Sequence, residues 1–451
     1  METQIGYERL FDPQDIFFST TDTKGVIKNT NTTFDVLSRY SRDRLVGSPH
    51  NIIRHQDMPG GVFRLMWDDL LANKPVCAYV INRAADNLDY RVFATIVPLH
   101  DGFLSVRCRP MDTATQSAVE DIYRRVRGKE RSLANQGASR RQVAEFGARE
   151  LTSELEALGM TSLYDLTLVS LPREVAALVR QGVRVPAAAG AHGPVPRVLS
   201  TAATIERDTN ALVFQLDEYL RLLGTMEQAQ GTLNDVTGRI RRIETLVSHD
   251  VASFSRSRSQ SLATQITELA GSAGVGLKGL PRRLQAMRSA VLQLRFSVAL
   301  MRLLTLMVGR FAASTLNGSE QGAVQSLADL CEALDTGFAG LAPVVRSVRN
   351  QAAELDDVIR GVTSSLDRCA RRLGQWVDLG GATTGRAALE EVAALTQQGF
   401  PEVRTLSRLA AECRSTDLPY SEEVIVQRLN VIRSALAELQ DAGVNVISLS
   451  L

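Results

Sequence analysis

The stretch HNIIRHQDMPGGVFRLMW, residues 50–67, sets two histidines, two arginines, an aspartate and a tryptophan among aliphatic residues. A plain hydrophobic core has no use for so many imidazole and guanidinium groups, because each buried polar group must find a partner. A pocket that receives a flat, phosphate-bearing ligand does, since both groups donate well to phosphate in a partly dry site. Within the stretch, HNIIRHQDM (50–58) is too polar and irregular for a long helix. GGVFRLMWDDLLA (60–72) is different: it places Val62, Phe63, Met66, Trp67 and Leu70 on one helical face.

Outward from this stretch the texture is that of short strands. FFSTT (17–21) and VIKNT (26–30) flank Asp22-Thr23-Lys24-Gly25, which predicts a hairpin. NTTFDVLSRY (31–40) reads as a short helix. Downstream, VCAYVIN (76–82), YRVFATIVPL (90–99) and FLSVRC (103–108) read as three more strands. The order is thus two strands, helices and three strands.

Together with STTDTKGVIKNTNTTF (19–34), VINRAADNLDYRVFATIVP (80–98) and FLSVRCRP (103–110), these segments closely resemble the PAS domain of the Aer-type aerotaxis receptors. The resemblance covers residues 12–110 and implies an α+β PAS sensor domain over residues 1–112, a five-stranded antiparallel sheet with helices over one face and the ligand between them, that binds FAD and reports redox state. It also implies the cofactor contacts. Asn31, His50, Arg54, His55, Asp57, Trp67 and Asn82 match the family's pocket residues without any change in spacing. All of them but Asn82 also have a plainer role open to them. Asn31 stands at a helix start and suits an N-cap, and Asp57, two residues before Pro59, suits another. His50, Arg54 and His55 fit a solvated turn, and Trp67 fits a helix core. The sequence departs from the family at Val76-Cys77-Ala78, where a tryptophan and a glycine are usual, and at Asn87-Leu88-Asp89-Tyr90-Arg91-Val92, where an aromatic pair is missing. Both departures alter the pocket wall and mouth rather than the fold.

The chain is 451 residues long with net charge +1, so no global field draws it to nucleic acid or an anionic membrane. The five cysteines (Cys77, Cys108, Cys331, Cys369, Cys413) are scattered and form no C-x-x-C pair, which predicts reduced thiols in a cytoplasmic protein. Met1-Glu2-Thr3 opens no positively charged, apolar leader.

After residue 112 the strand texture stops. Residues 113–200 read as helical linker pieces with an Ala/Gly/Pro-rich loop, PAAAGAHGPVP (186–196). From 201 to 451 heptads predict an all-α bundle or coiled coil, a signalling or dimerisation region. One seam runs through Tyr219, Leu222, Met226, Ala229, Leu233, Val236, Ile240, Ile243 and Val247. A second runs through Leu284, Met287, Val291, Leu294, Val298 and Met301. A third repeats every seven residues from Leu327 to Trp376. VLQLRFSVALMRLLTLMVGRFAAS (291–314) is long enough to span a bilayer, but Arg295, Arg302 and Arg310 fall on one stripe, so it reads as a core helix with one wet edge and not a membrane span. Gly274-x-Gly276-x-x-Gly279 matches a dinucleotide fingerprint, yet no strand precedes it; it reads as a loop before Pro281. His249-Asp250 bears a faint likeness to a phosphoacceptor helix, but no glycine-rich ATP-binding domain follows.

No Ser-His-Asp or paired-carboxylate constellation stands out, so an enzyme is not expected. The expectation is a cytoplasmic redox or oxygen sensor, homodimeric, with FAD in an N-terminal PAS domain and a helical region read by an unidentified signalling partner. Two alternatives stay open: haem in the same pocket with His50 or His55 as axial ligand, and a cofactor-free PAS scaffold that binds a protein.

Overall fold

The computed structural model describes residues 3–5, 8–187, 192–251, 258–318, 320, 323–379 and 386–448. The N-terminal strands are β1 (Thr3–Ile5), β2 (Glu8–Leu10), β3 (Phe17–Thr21) and β4 (Ile27–Thr30); β5 (Val76–Arg83), β6 (Asp89–Leu99) and β7 (Gly102–Cys108) follow after the first helices. Five of them form the antiparallel order β4-β3-β7-β6-β5. The β3–β4 hairpin closes as the sequence predicts. Asp22 Oδ1 accepts from Lys24 N at 2.8 Å and Val26 N at 2.9 Å, and Gly25 takes φ +79°, a conformation that favours glycine.

The sheet differs from the expected one by being seven-stranded and mixed. The β1–β2 hairpin joins β6 in parallel through the single pair Glu8↔Asp89. Strands of three residues are too short for alternation to reveal them, and polar contacts hold this hairpin instead. Arg9, buried, donates to Leu37 O at 2.8 Å and pairs with Asp86, while Glu8 pairs with Arg91 at 2.6 Å.

Helices α1 (Thr32–Ser38), α2 (Arg42–Leu45) and α3 (Gly60–Leu71), with a 3-10 turn at His50–Ile53, cover one face of the sheet. Asn31 caps α1, its side chain accepting from Phe34 N. The opposite face is covered as well, which is why every residue of β7 is buried. Three capped helices follow: α4 (Thr113–Asn135) starts at Asp112, α5 (Arg140–Glu156) at Ser139 in a capping box, and α6 (Leu163–Arg180) at Ser162. They are not a loose linker. α6 covers the edge strand β5, where Thr167 Oγ1 accepts from Cys77 N at 2.9 Å and Glu174 accepts from the Tyr79 hydroxyl at 2.9 Å. Covering an edge in this way removes a template for unwanted pairing.

The rest is helical: α7 (Pro194–Val251), α8 (Arg258–Leu316), α9 (Ala323–Asp378), α10 (Arg386–Gln398), α11 (Pro401–Ser415) and α12 (Glu422–Ser448). Of the loop expected at 186–196, residues 188–191 lie outside the described residues and α7 already begins at Pro194. The side chains of His249 and Asp250 also lie outside them. The glycine-rich segment before Pro281 is helix, not loop, because α8 runs through it unbroken. Ala270, Ala273, Leu277 and Leu280 are buried at spacings of three and four along it, so tertiary packing overrides weak glycine propensity.

The chain divides into two compact units. The first comprises Met1–Ala211, Arg295–Ala342 and Tyr420–Leu451; the second comprises Leu212–Leu294 and Pro343–Pro419. Within the first, Phe311 of α8 meets Phe18 of β3 edge to face at 5.3 Å, and α12 is tied by Arg433–Asp335 at 2.8 Å. Within the second, Tyr219 donates to Thr416 O at 3.0 Å, and Arg239 pairs with Glu402 at 2.8 Å. The seam residues from Tyr219 to Val247 are buried, Ala229 only partly. The third seam is buried throughout, with Trp376 inaccessible.

By length and composition α8 carries a window apolar enough to cross a membrane, and 78% of that window is buried inside the protein. Arg302, expected on a wet edge, is itself buried beside Glu206; burial lowers its pKa and the Glu206 carboxylate opposes that fall.

Candidate functional site

A cavity of about 300 Å³ lies between α3 and the sheet. Its walls follow from the two periodicities. Phe63, Met66, Trp67 and Leu70 recur at helical spacing on α3. Val80 and Asn82 of β5, Ala94 and Ile96 of β6, and Phe103, Ser105 and Arg107 of β7 recur at a spacing of two. Gly25, Pro49, His50, Ile53 and Arg54 close one end. A side chain at Gly25 would begin 3.0 Å from the Trp67 ring, so the turn glycine lets the indole lie over the hairpin. Trp67 also meets Phe103 edge to face at 5.5 Å.

Of the seven residues singled out in the sequence, His50, Arg54, Trp67 and Asn82 line this cavity. Arg54 and Asn82 face one another through a backbone bridge. The Arg54 guanidinium lies 4.1 Å from the Phe63 ring centre and donates to Met58 O at 2.8 Å. The remaining three sit elsewhere. Asn31 is 2% exposed and holds backbone, accepting from Phe18 N at 3.1 Å as well as from Phe34 N. His55 points to Arg83 at 2.6 Å and Asp89 at 3.4 Å. Asp57 pairs with Arg131 of α4.

The residue that sequence reasoning missed is Arg107. It is 4% exposed, lines the cavity and has no carboxylate partner among the described residues. Its Nη2 lies 2.6 Å from His50 Nε2, and its Nη1 donates to Ser19 Oγ at 3.1 Å. The guanidinium also stands 5.3 Å from the Phe34 ring centre. Burial pushes its pKa down to about 10, so it remains a cation at neutral pH. Arginine only donates, so His50 Nε2 must accept and the imidazole is neutral. Burial first, and the Arg107 charge second, hold the His50 pKa well below the usual value.

Two buried polar atoms of lining residues have no hydrogen-bond partner among the described residues: Asn82 Nδ2 and Ser105 Oγ. An unpaired buried donor costs roughly 1–3 kcal/mol. Beside the Arg107 cation, whose own bonds go to Ser19 and His50, they equip an otherwise apolar slot with two donors that the described residues do not satisfy. No group of three or more metal-ligating side chains occurs among the described residues.

Over 111 residues, 24% of its length, the chain is 38% identical to the aerotaxis receptor of Escherichia coli (strain K12); it spans 22% of that receptor. A solved PAS domain of a protein from Colwellia psychrerythraea is 16% identical, covers 21% of this chain and 86% of its own, and has a TM-score of 0.20. No protein-family model matches. By the sequence match and the strand order β4-β3-β7-β6-β5, the N-terminal part of the chain is a PAS domain resembling that of the aerotaxis receptor, and the helical remainder is not recognised.

Proposed function

We propose that this PAS domain is a flavin site: it binds FAD and makes the chain a redox or oxygen sensor, not an enzyme, that signals through its helices. The observation that carries the reading is the cavity with its unsatisfied donors, Asn82 Nδ2 and Ser105 Oγ, beside the buried Arg107 cation. A flat heteroaromatic ring with acceptor atoms at its edge answers all three, while Phe63 and Trp67 supply apolar faces. The volume stands at the small end of the roughly 300–1,000 Å³ usual for cofactor pockets, so it suits a ring system rather than a whole dinucleotide. Arg54 and the exposed Lys24, also in the lining, suit the phosphates outside it.

A bound flavin supplies a centre whose charge and hydrogen bonding change when it takes up electrons. The chain's own groups respond. The Asn82 amide can present its donor or its acceptor end, and any backbone shift there reaches Arg54 through their bridge. Arg107 and Ser19 pass a change to β3, where the preceding residue, Phe18, packs on Phe311 of α8. On β4 and after it, Asn29 donates to Ser326 Oγ at 2.5 Å and Thr32 N donates to Glu320 at 3.1 Å. The reporting element is then the α8–α9 segment of the first compact unit, biased between two packings.

Haem is the poorer fit. His50 Nε2 already accepts from Arg107, and His55 is turned to Arg83 and Asp89, away from the cavity. The test is the absorption spectrum of the purified chain. Flavin bands that bleach with dithionite and return in air, with FAD as the released compound, are expected. A Soret band transfers the site to haem. A colourless protein that takes up no added FAD leaves a scaffold that binds a partner protein.

A further inference from the structure

Helix α3, which forms one wall of the cavity, begins without a cap of its own. Pro59 precedes it and offers no side-chain hydrogen bond, and the first two helical residues are Gly60 and Gly61. A helix start leaves backbone N–H groups that must find acceptors. Here they find them on another element: Glu130 of α4 accepts from Gly60 N at 2.9 Å through Oε2 and from Gly61 N at 2.8 Å through Oε1. Glu130 is 0% exposed, and Arg127, one turn earlier, donates to it at 3.1 Å. A carboxylate against two helix N-terminal amides is both a charge-assisted acceptor and a match to the positive end of the helix dipole.

The space around this carboxylate is built for it. A Cβ at Gly61 would fall 2.2 Å from the backbone of Gly147 in α5, and a Cβ at Gly147 would fall 1.9 Å from Glu130 Oε1. The start of α3, the middle of α4 and the middle of α5 therefore meet at one buried ion, with glycines making the room. Two further contacts tie α4 to the segment just before α3: Arg127 Nε donates to Gln56 O at 3.1 Å, and Arg131 pairs with Asp57. On its other side α3 presents Phe63, Met66 and Trp67 to the cavity. Arg54, in the cavity lining, feels the charges of both Arg127 and Glu130.

We infer that Glu130 is a positioning residue of the cavity: it locks α3 to the α4–α5 hairpin, so that the seating of the cavity wall and the docking of the hairpin are one equilibrium. If α3 moves to receive a ligand, two amides and a buried carboxylate lose each other, and the hairpin must follow or release. If a partner draws the hairpin away, the wall loosens by the same measure, because coupling between sites is reciprocal. This gives the site a second mechanical exit through the helical layer, separate from the route through β3. Only the identity of the ligand rests on the flavin reading; the lock itself does not.

The test uses the full chain and its two tryptophans, Trp67 on α3 and the inaccessible Trp376. Acrylamide quenching in the absence of added cofactor therefore reports on Trp67. Glu130→Gln keeps one acceptor and removes the charge; Arg127→Ala leaves the carboxylate but takes away its cationic partner. Both variants should keep the helical content of the parent chain. Trp67 should become more quenchable and its emission red-shifted, more so in Glu130→Gln, and FAD should bind about tenfold more weakly in that variant. Folded variants with unchanged Trp67 quenching overturn the inference, whatever the parent chain binds. Should Glu130→Gln fail to fold, the Arg127→Ala result decides alone. If the parent chain takes up no flavin while Trp67 still loosens in the variants, the flavin reading falls and the lock stands. If flavin binds the parent and both variants equally and quenching does not change, the lock falls and the flavin reading stands.

Discussion

Arg107 shows how one residue can cost stability and serve a site. Nothing in FLSVRC marks it, because an arginine in an alternating strand reads as a solvent-facing position; here it faces the cavity beside His50 and Phe34, under the helices that cover that side of the sheet. Its charge has no carboxylate partner among the described residues, and taking a cation out of water costs several kcal/mol. Its contacts with His50 Nε2, Ser19 Oγ and the Phe34 ring return part of that. Replacing it by methionine, similar in length and apolar, leaves the Ser19 hydroxyl, 3.2 Å from His50 Nε2, free to donate there. Arg107→Met should therefore hold or raise the thermal midpoint of the cofactor-free chain while weakening flavin uptake by about tenfold or more, the usual opposition between stability and function. Calorimetry beside flavin titration checks both halves. A loss of stability with unchanged uptake assigns Arg107 to the fold alone. The matched residues divide by the same logic. His50, Arg54, Trp67 and Asn82 border the cavity, whereas Asn31, His55 and Asp57 took the capping and ion-pairing roles that their residue types equally allow.

At the scale of elements, legibility follows the strength of the local signal. The β3–β4 hairpin, the α3 face and the strands β5 to β7 could be read from turn residues and alternation, and lie within a residue or two of where the sequence puts them. The β1–β2 hairpin could not, being too short, and the helices α4 to α6 could be seen as helices but not as the cover of a sheet, since an apolar stripe does not name its partner. The glycines of α8 misled in the opposite direction. There the local preference for a loop loses to packing, and the glycines separate into two kinds. Gly276 is forced: a Cβ would sit 2.4 Å from Val362 Cγ2, a β-branched side chain with little freedom in a helix. Gly274 and Gly279 have nothing within 4 Å. Gly274→Ala and Gly279→Ala should each stabilise the chain by about 0.5–1 kcal/mol through helix propensity. Gly276→Ala should destabilise it, by about 1–3 kcal/mol of overpacking less that same gain. Denaturant unfolding followed by circular dichroism ranks the three. Equal stabilisation by all of them would mean that α8 and α9 are not packed this closely.

At the scale of the whole molecule, the long helices do not form an output module separable from the sensor. α8 serves the second compact unit up to Leu294 and the first from Arg295 onward. In the first unit its apolar segment is covered by elements that come long before it in sequence. Phe296 meets Tyr164 of α6, Gly309 lies under Val185, Phe311 packs on Phe18, and Arg310 donates to Gln14 and to Arg184 O. The seams that suggested a second copy of the chain are already buried within one copy, so that argument for a dimer falls away and association must be measured on its own terms. A fragment beginning at residue 201 would keep every part of the second unit but lose the partners of the 295–312 segment. It should be highly helical, yet it should aggregate or bind detergent where the full chain does not, because roughly 25 cal/mol per Å² of newly exposed apolar surface drives it to any available cover. Such behaviour reports missing intramolecular cover, not a membrane anchor. Sedimentation of fragment and full chain, with and without detergent, separates the cases. Detergent binding by both would mean that the segment faces lipid in the intact protein, and a soluble, monomeric fragment would mean that the helices cover it without help from the PAS domain.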